Sequence, residues 1–575
     1  MKRELTVVAF ISSLKEKIGA YCDFSDIVLL LSFIFIGGFN DFLACFISIA
    51  LLVYLLFKIC KNGILEIRLN FLTIACFCIS LFYGLTIFWA IDSGMAFIGF
   101  LKYLPLALYV IFLSQSSTEK RVLEILPLFI AVLVIVSSVC SLIPPIKDFF
   151  LVAERLAGFF QYPNTFALLL LICELLVIGK NKFSIIDYIT LLVLIFGLLY
   201  TGSRTVFVLF LVSNFVMILA KTSGRKRVVF FAIAIAAVVA ILAVAFLGGE
   251  GNVLSRYLKI GLTESTFVGR LLYIVDALPL LLKYPFGLGY YGYHFVQGSL
   301  QTGVYNVSFV HNDFLQLALD VGIIPALIFI ITIVRYFFKK DIPFNKKIIV
   351  AVFVIHSMLD FNLQFVGMFM LLLLLLDDNS GKIVSFKKLS WAKILLPTLV
   401  LLNLYMGIAL TLSQFTAYNA ADALYPYNTR NKLLLLEQRE DVNEANIIAD
   451  EILEYNTSYY APYSIKAKYY YSKGDFKGVI ESKNAVFLRN RFRYTEFKEY
   501  GIMLVNGILA YEQMGDSASA NVLKTELLSL KAGMESNKEK ISRLGSMINE
   551  QPITTLPSDI LQYIDKITNE AGDLN

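Results

Sequence analysis

Arg155, Arg204, Arg270 and His311 are the residues of this chain whose types could do chemistry together. A guanidinium binds phosphate through two parallel hydrogen bonds and keeps its charge when partly desolvated. An imidazole that titrates near neutrality can take a proton from a hydroxyl. His311 is one of only three histidines and lies in F-V-H-N-D-F-L-Q-L-A-L-D-V-G-I-I, residues 309–324. Asn312 suits a helix N-cap and Asp313 its first turn, so the histidine stands where an apolar helix begins, and that helix N-terminus adds partial positive charge. Ahead of it runs a polar stretch from Gly248 to Val310. A structureless segment of roughly 60 residues inside a compact unit is usually functional.

The other cations sit in short motifs. Arg155 opens R-L-A-G-F-F-Q-Y-P-N at 155–164, and Arg204 closes a bare turn, T-G-S-R, at 201–204. Arg270 belongs to G-R-L-L-Y at 269–273, whose apolar spacing suggests a helix lying along an interface. A further cluster, H-S-M-L-D-F-N-L-Q at 356–364, spaces His356 and Asp360 at i and i+4 on one helix face, near the outer end of their span. Ionisable groups inside an apolar segment are functional candidates, and the competing role is a polar pair that packs helices together. A single arginine at a membrane surface commonly snorkels as an anchor, a role that suffices for Arg256, Lys259 and Lys283. A lone histidine at a helix start is commonly structural. It is the convergence of several such residues that suggests an anion-handling site.

The elements that must position these groups are apolar. The chain has 575 residues, 58% of them hydrophobic, against about 45–50% in soluble domains. About thirteen membrane spans can be read, near 26–38, 41–57, 69–88, 95–114, 121–143, 165–179, 184–201, 204–220, 228–247, 313–334, 348–361, 363–376 and 391–413. Alternating from a cytoplasmic N-terminus, one set of loops collects most of the Lys and Arg, including Lys58, Lys61, Arg68, Lys180, Lys221, Lys339 and Lys382. Before residue 414 the other set holds only Lys147, Arg155, Arg204, Arg256, Lys259, Arg270 and Lys283. This bias puts the candidate site on the outer face, where the topology rule disfavours cations, so those present need another reason to be there. The net charge of +6 is explained by the same loops and gives no nucleic-acid signal.

Residues 414–575 change character: they are polar, mixed in charge and free of long apolar runs. Helix pairs can be read at 459–473 with 476–488 and at 496–514 with 517–534, each turning through Gly-Asp, with an earlier helix at 443–454. The expected fold is all-α: residues 1–413 form a polytopic bundle with a large outer loop, 248–312, followed by an extracytoplasmic helical-repeat domain, 414–575. The hairpins resemble tetratricopeptide-type repeats, although the period departs from the usual one and the signature tryptophan is missing. All seven cysteines fall between Cys22 and Cys173, which implies no disulfide framework, and Cys76 and Cys78 lack the partner pair of a zinc site. The apolar run Leu5–Ile11 is too short for a cleavable signal peptide.

The order R-x-x-G-x-F-x-x-P-N, an S-R turn, G-R in a large outer loop and then H-N-x-x-L-Q-x-x-x-D-x-G resembles the O-antigen ligase family of bacterial membrane enzymes. That superfamily also holds O-antigen polymerases and protein O-oligosaccharyltransferases, and the likeness covers roughly 70–376. Asp320 stands where the family more often has glutamate. The resemblance implies a glycan donor carried on undecaprenyl pyrophosphate at the outer leaflet of the cytoplasmic membrane, and a glycan, lipid or protein acceptor. Arg204 and Arg270 would hold the pyrophosphate, His311 would activate the acceptor hydroxyl with inversion at the anomeric carbon, and Arg155, Asn164, Asn312, His356 and Asp360 would shape the substrate pocket. No cofactor and no metal are expected: the sequence has no P-loop or Rossmann fingerprint and no outer Asp-x-Asp pair. Residues 414–575 offer a surface for a possible protein partner. Two other classes compete. A lipid-glycan transporter would show polar groups near mid-bilayer, where only Lys102 and Glu174 stand out. A scaffold for the tail would leave Arg204, Arg270 and His311 without a role.

Overall fold

The computed structural model describes residues 23–115, 121–224, 253–261, 263–387 and 389–572, with part of 227–247. Among the described residues the fold is all-α apart from two short antiparallel strand pairs. Among the described residues seven helices are long and apolar enough to cross a membrane: Asp41–Asn62, Phe71–Phe88, Ser93–Gln115, Val122–Cys140, Arg204–Lys221, Ser265–Lys283 and Ala392–Gln414. Shorter apolar helices include Phe24–Ile34, Pro163–Ile178, Ile185–Thr201, Ile323–Phe338 and Val366–Leu376. The protein is therefore an integral membrane protein. The span expected at 228–247 lies largely outside the described residues.

Two compact units emerge: residues 1–84, 98–261 and 311–411, and residues 85–97, 262–310 and 412–575. In the first, Val366–Leu376 is buried along its whole length and Pro163–Ile178 along nearly all of it. Both are largely apolar all round, as suits interior helices, with Asn164, Thr165 and Glu174 the polar residues of the second. Proline at the first position of Pro163–Ile178 fits the N-terminal turn, where its missing N–H goes unmissed. Lys102 and Asp41, both buried, form an ion pair at 3.1 Å, and Lys102 also donates to the Phe39 carbonyl at 2.9 Å. The charge of Lys102 is thus compensated.

The basic loops of the first unit are joined to one another. Strand Leu65–Leu69 pairs antiparallel with Lys382–Phe386, Leu65 opposite Phe386. Arg68 bridges to Asp377 at 3.3 Å, Lys339 pairs with Asp378, and Lys347 donates to the Lys339 carbonyl. Asn345 touches Gly179, and next to it Lys180 binds Asp187 at 2.6 Å while Lys221 caps the Ile178 and Lys180 carbonyls. Asp187 lies in the first turn of Ile185–Thr201, a helix of 17 residues and so roughly 25 Å long. At its far end, Thr201 meets Arg155.

Two sequence expectations are corrected. The span read at 313–334 is two helices, Asp313–Val321 and Ile323–Phe338, broken at Gly322 with φ 91° and ψ 169°. Hydropathy runs smoothly across the break because it carries no dihedral information, and glycine alone takes that conformation cheaply. The stretch 248–310 is not a structureless loop: it holds a 3-10 segment, Val253–Lys259, and the helices Ser265–Lys283 and Gly292–Leu300.

In the second unit Asp276 ties Ser265–Lys283 to residues 302–305, accepting from the Thr302 N–H at 2.9 Å, the Thr302 hydroxyl at 2.7 Å and the Tyr305 hydroxyl at 2.9 Å. Thr302 and Ser265 in turn bond to Ser542 and Asn549. Helices Ala461–Ser472 and Phe476–Arg489 form one hairpin, and Tyr494–Gln513 and Ser517–Ser536 another. Both turn through Gly-Asp, where Asp475 caps the Gly478 N–H and Asp516 the Ser519 N–H. Phe497, Leu504, Leu523, Leu527, Ile560 and Ile564 form their shared core.

Candidate functional site

Helix ends bring the site of the first unit together. Asn312 caps Asp313–Val321, its side-chain oxygen accepting the Leu315 N–H at 2.9 Å and its amide donating to the Met358 carbonyl at 3.1 Å. Asp313 accepts the Leu363 N–H at 2.9 Å. Together these bonds fix His311 against the segment 358–364. The helix carrying His356 ends at Ser357, so Asp360 is not on its face as the four-residue spacing had suggested. The two side chains part company beyond that end: His356 bonds Asn362 through Nδ1, while Asp360 turns toward His311.

Asp360 is the hub, with no exposed side-chain surface. Oδ1 accepts from the Tyr162 hydroxyl at 2.8 Å, the Phe361 N–H at 3.0 Å and His311 Nδ1 at 3.2 Å, and Oδ2 accepts from the Asn164 amide at 3.0 Å. Arg155 donates through Nη2 to the Asn164 oxygen at 2.7 Å and through Nε to the Thr201 carbonyl at 2.7 Å. An ionised carboxylate only accepts, so His311 Nδ1 carries a proton and Nε2 of the neutral ring is left as the basic nitrogen. The His311 side chain is 17% exposed, and the Phe361 ring holds it edge-on at 5.0 Å.

Arg155 reaches this place from a two-residue hairpin. Val152 pairs with Arg155, and the turn residues Ala153 and Glu154 both have positive φ, 49° and 59°. Such a turn normally selects Asn-Gly, so two side-chain-bearing residues here carry strain beside the site. Gly158, at φ 56°, leaves room for the Phe166 ring, which a Cβ would approach to 2.7 Å.

Arg204 begins the helix Arg204–Lys221 and donates to the Lys259 carbonyl at 2.9 Å. Arg256 donates to the Gly202 carbonyl at 3.2 Å, and Tyr257 packs on Phe207 at 4.3 Å. The turn 201–204 is therefore touched by Arg155 and Arg256 and carries Arg204. Arg256 had passed for an anchor in the sequence, and only the fold brings it there. Arg270 lies in the second unit, on Ser265–Lys283 beside Tyr273. The structure thus joins Arg155, Asn164, His311, Asn312 and Asp360, leaves His356 bonded to Asn362, which pairs with Thr165 and Ser357, and gathers Arg204 at the turn that Arg155 holds. Sequence reasoning missed Tyr162, Asn362 and Thr201 as partners. Tyr162 and Asn362 were visible as polar residues inside the two motifs 155–164 and 356–364; the Thr201 contact runs through a carbonyl that no residue type announces.

Fold and site together define a polytopic membrane protein that holds a histidine–carboxylate pair next to an arginine-lined turn. Residues 189–330 match the O-Antigen ligase family, so this stretch of the chain is similar to that family of membrane proteins. Arg204, Arg270, His311 and Asn312 fall inside the matched stretch; Arg155, Asn164, His356 and Asp360 fall outside it. No curated protein sequence matches the chain at a significant level.

Proposed function

We propose that the protein transfers a glycan from undecaprenyl pyrophosphate to an acceptor hydroxyl at the outer face of the bacterial cytoplasmic membrane, with its N-terminus in the cytoplasm. One observation carries the reading: the bond from His311 Nδ1 to the buried Asp360. It orients the imidazole and leaves Nε2 to take the acceptor proton as the oxygen attacks the anomeric carbon. The carbon–phosphate oxygen bond breaks on the opposite face, the diphosphate leaves with its electron pair, and the configuration inverts. Arg155, Arg204 and Arg256 stabilise the charge growing on the leaving group, which is strongest in the transition state. The family resemblance gives Arg270 the same task. Asn164 transmits the position of Arg155 to Asp360, and Asn312 and His356 fix the ends of the segments that carry the pair. Within the family we favour the ligase over polymerase and protein oligosaccharyltransferase chemistry because the motif order resembles it most. Residues 414–575 serve in this reading as an extracytoplasmic tetratricopeptide-like domain.

The test is reconstitution of the purified protein with an undecaprenyl-pyrophosphate oligosaccharide and candidate acceptors. Transfer by the parent that is lost in His311→Ala and in Arg204→Ala, with folding intact, supports the reading. Unchanged transfer in the His311 variant overturns it.

A further inference from the structure

The second unit holds two cavities that meet at a ridge. One, of about 340 Å³, is lined among others by Asn490 and Glu550; the other, of about 520 Å³, by Glu437. Tyr459, Tyr460 and Arg493 line both. Each volume falls in the range of roughly 300–1,000 Å³ usual for small-ligand sites. On the ridge the Tyr459 and Tyr460 rings lie 4.9 Å apart, and the exposed Arg493 guanidinium lies 4.9 Å above Tyr460. Helix ends build it: Tyr460 immediately precedes Ala461–Ser472, and Arg493 immediately precedes Tyr494–Gln513.

This chemistry suits a sugar better than a peptide. A pyranose has an apolar C–H face and a rim of hydroxyls. Tyrosine offers a flat, rigid surface with a polar edge, matching both. Carboxylate, amide and guanidinium groups can each engage two neighbouring hydroxyls. A protein partner would instead seek a desolvated apolar centre ringed by polar groups. Here a solvent-exposed arginine stands at the centre, and acidic groups, Glu550 and Glu437, line the cavities on its two sides.

We infer that the ridge of Tyr459, Tyr460 and Arg493 is an oligosaccharide-binding subsite, with successive sugar units lying in the cavities on its two sides. The ligand class rests on the glycan-transfer reading. The oligosaccharide comes either from the lipid-linked donor or from a glycan acceptor.

Isothermal titration of the full-length protein in nanodiscs tests this. Two probes are used: soluble oligosaccharide released by mild acid from the cell's polyprenyl-diphosphate pool, and oligosaccharide cut from the mature surface polymer. The expected result is binding of at least one, weakened about tenfold or more by Tyr460→Ala and by Arg493→Ala. Tyr460→Phe, which keeps the ring, stays within about threefold of the parent. Whichever probe binds identifies the source. Binding of neither probe, binding of an acceptor protein instead, or equal affinity in the alanine variants overturns the inference. Should Tyr460→Ala lose its fold, the exposed Arg493 position decides alone. Failure of transfer alongside ridge-dependent binding would overturn the catalytic reading and leave this one standing.

Discussion

Replacing Asp360 with asparagine tests the site most directly, because the hydrogen-bond chain around it has a fixed direction. Arg155 can only donate, so the Asn164 oxygen must face it and the Asn164 amide must face residue 360. An asparagine at 360 has one oxygen for two demands. If the oxygen takes the place of Oδ2 to receive Asn164, the new NH2 meets the Phe361 N–H and His311 Nδ1–H. If the oxygen takes the place of Oδ1, the NH2 meets the Asn164 amide. Either way a buried donor faces a donor, at a cost of about 1–3 kcal/mol in stability. The imidazole relieves the clash most easily by moving its proton to Nε2, which removes the base. Loss of correctly placed proton transfer typically costs about 10²–10⁴-fold, or roughly 3–5 kcal/mol of barrier. The assay is in vitro transfer from a lipid-linked oligosaccharide, with kcat and KM separated. A fall of that size in kcat is expected in Asp360→Asn, and adding His311→Ala should cost little more because the two act as one unit. Activity of Asp360→Asn near the parent's, in a folded protein, would refute the proposed proton path.

Arg155→Lys should lower transfer about tenfold or more, because an ammonium cannot serve Thr201 and Asn164 with the geometry of the guanidinium; steady-state kinetics against donor concentration reads it. Gly322→Val should destabilise the protein by about 1–3 kcal/mol, since a β-branched residue resists the positive φ there; unfolding in mixed detergent and urea measures it. Burial pushes the His294 imidazole down to about 4 from its ordinary 6.5, with Arg430 adding to the shift and the bond to the Val307 carbonyl opposing it. The folded state therefore disfavours the proton: stability is full above pH 6.5 and falls as pH drops toward 4, by up to about 3 kcal/mol. His294→Gln should flatten that slope in thermal unfolding across the same window. Transfer should persist in EDTA, because arginines neutralise the diphosphate in the proposed mechanism; abolition by chelator and rescue by a divalent cation would count against it.

The helices were legible because apolar runs of membrane length have few alternatives. The tail hairpins were legible because Gly-Asp marks a stop and a cap together. What the sequence concealed is where helices break. Gly322 interrupts a run whose hydropathy never falters, and Ser357 ends a helix that the pattern carries through Asp360. The second break sits at the site, where the chain departs from local regularity and Asp360 turns toward His311. The stretch before His311 read as a polar loop, although Ser265–Lys283 within it is apolar enough to cross a membrane and most of Gly292–Leu300 is buried. Arg256 was hidden for a different reason: its contact is with a backbone carbonyl, and a carbonyl has no residue signature.

The strand ladder between Leu65–Leu69 and Lys382–Phe386 has a consequence for biogenesis. Its two halves, like Arg68 and Asp377, are separated by about 310 positions. At a synthesis rate of roughly 5–20 residues per second the earlier strand waits on the order of 15–60 s for its mate. Through that interval the early helices reside in the bilayer with Arg68 uncompensated, and the His311–Asp360 pair does not yet exist. Assembly of this half of the molecule is closed by its last-made segments, so a nascent chain arrested before residue 377 lacks the clasp, and one arrested before residue 360 lacks the reacting pair as well.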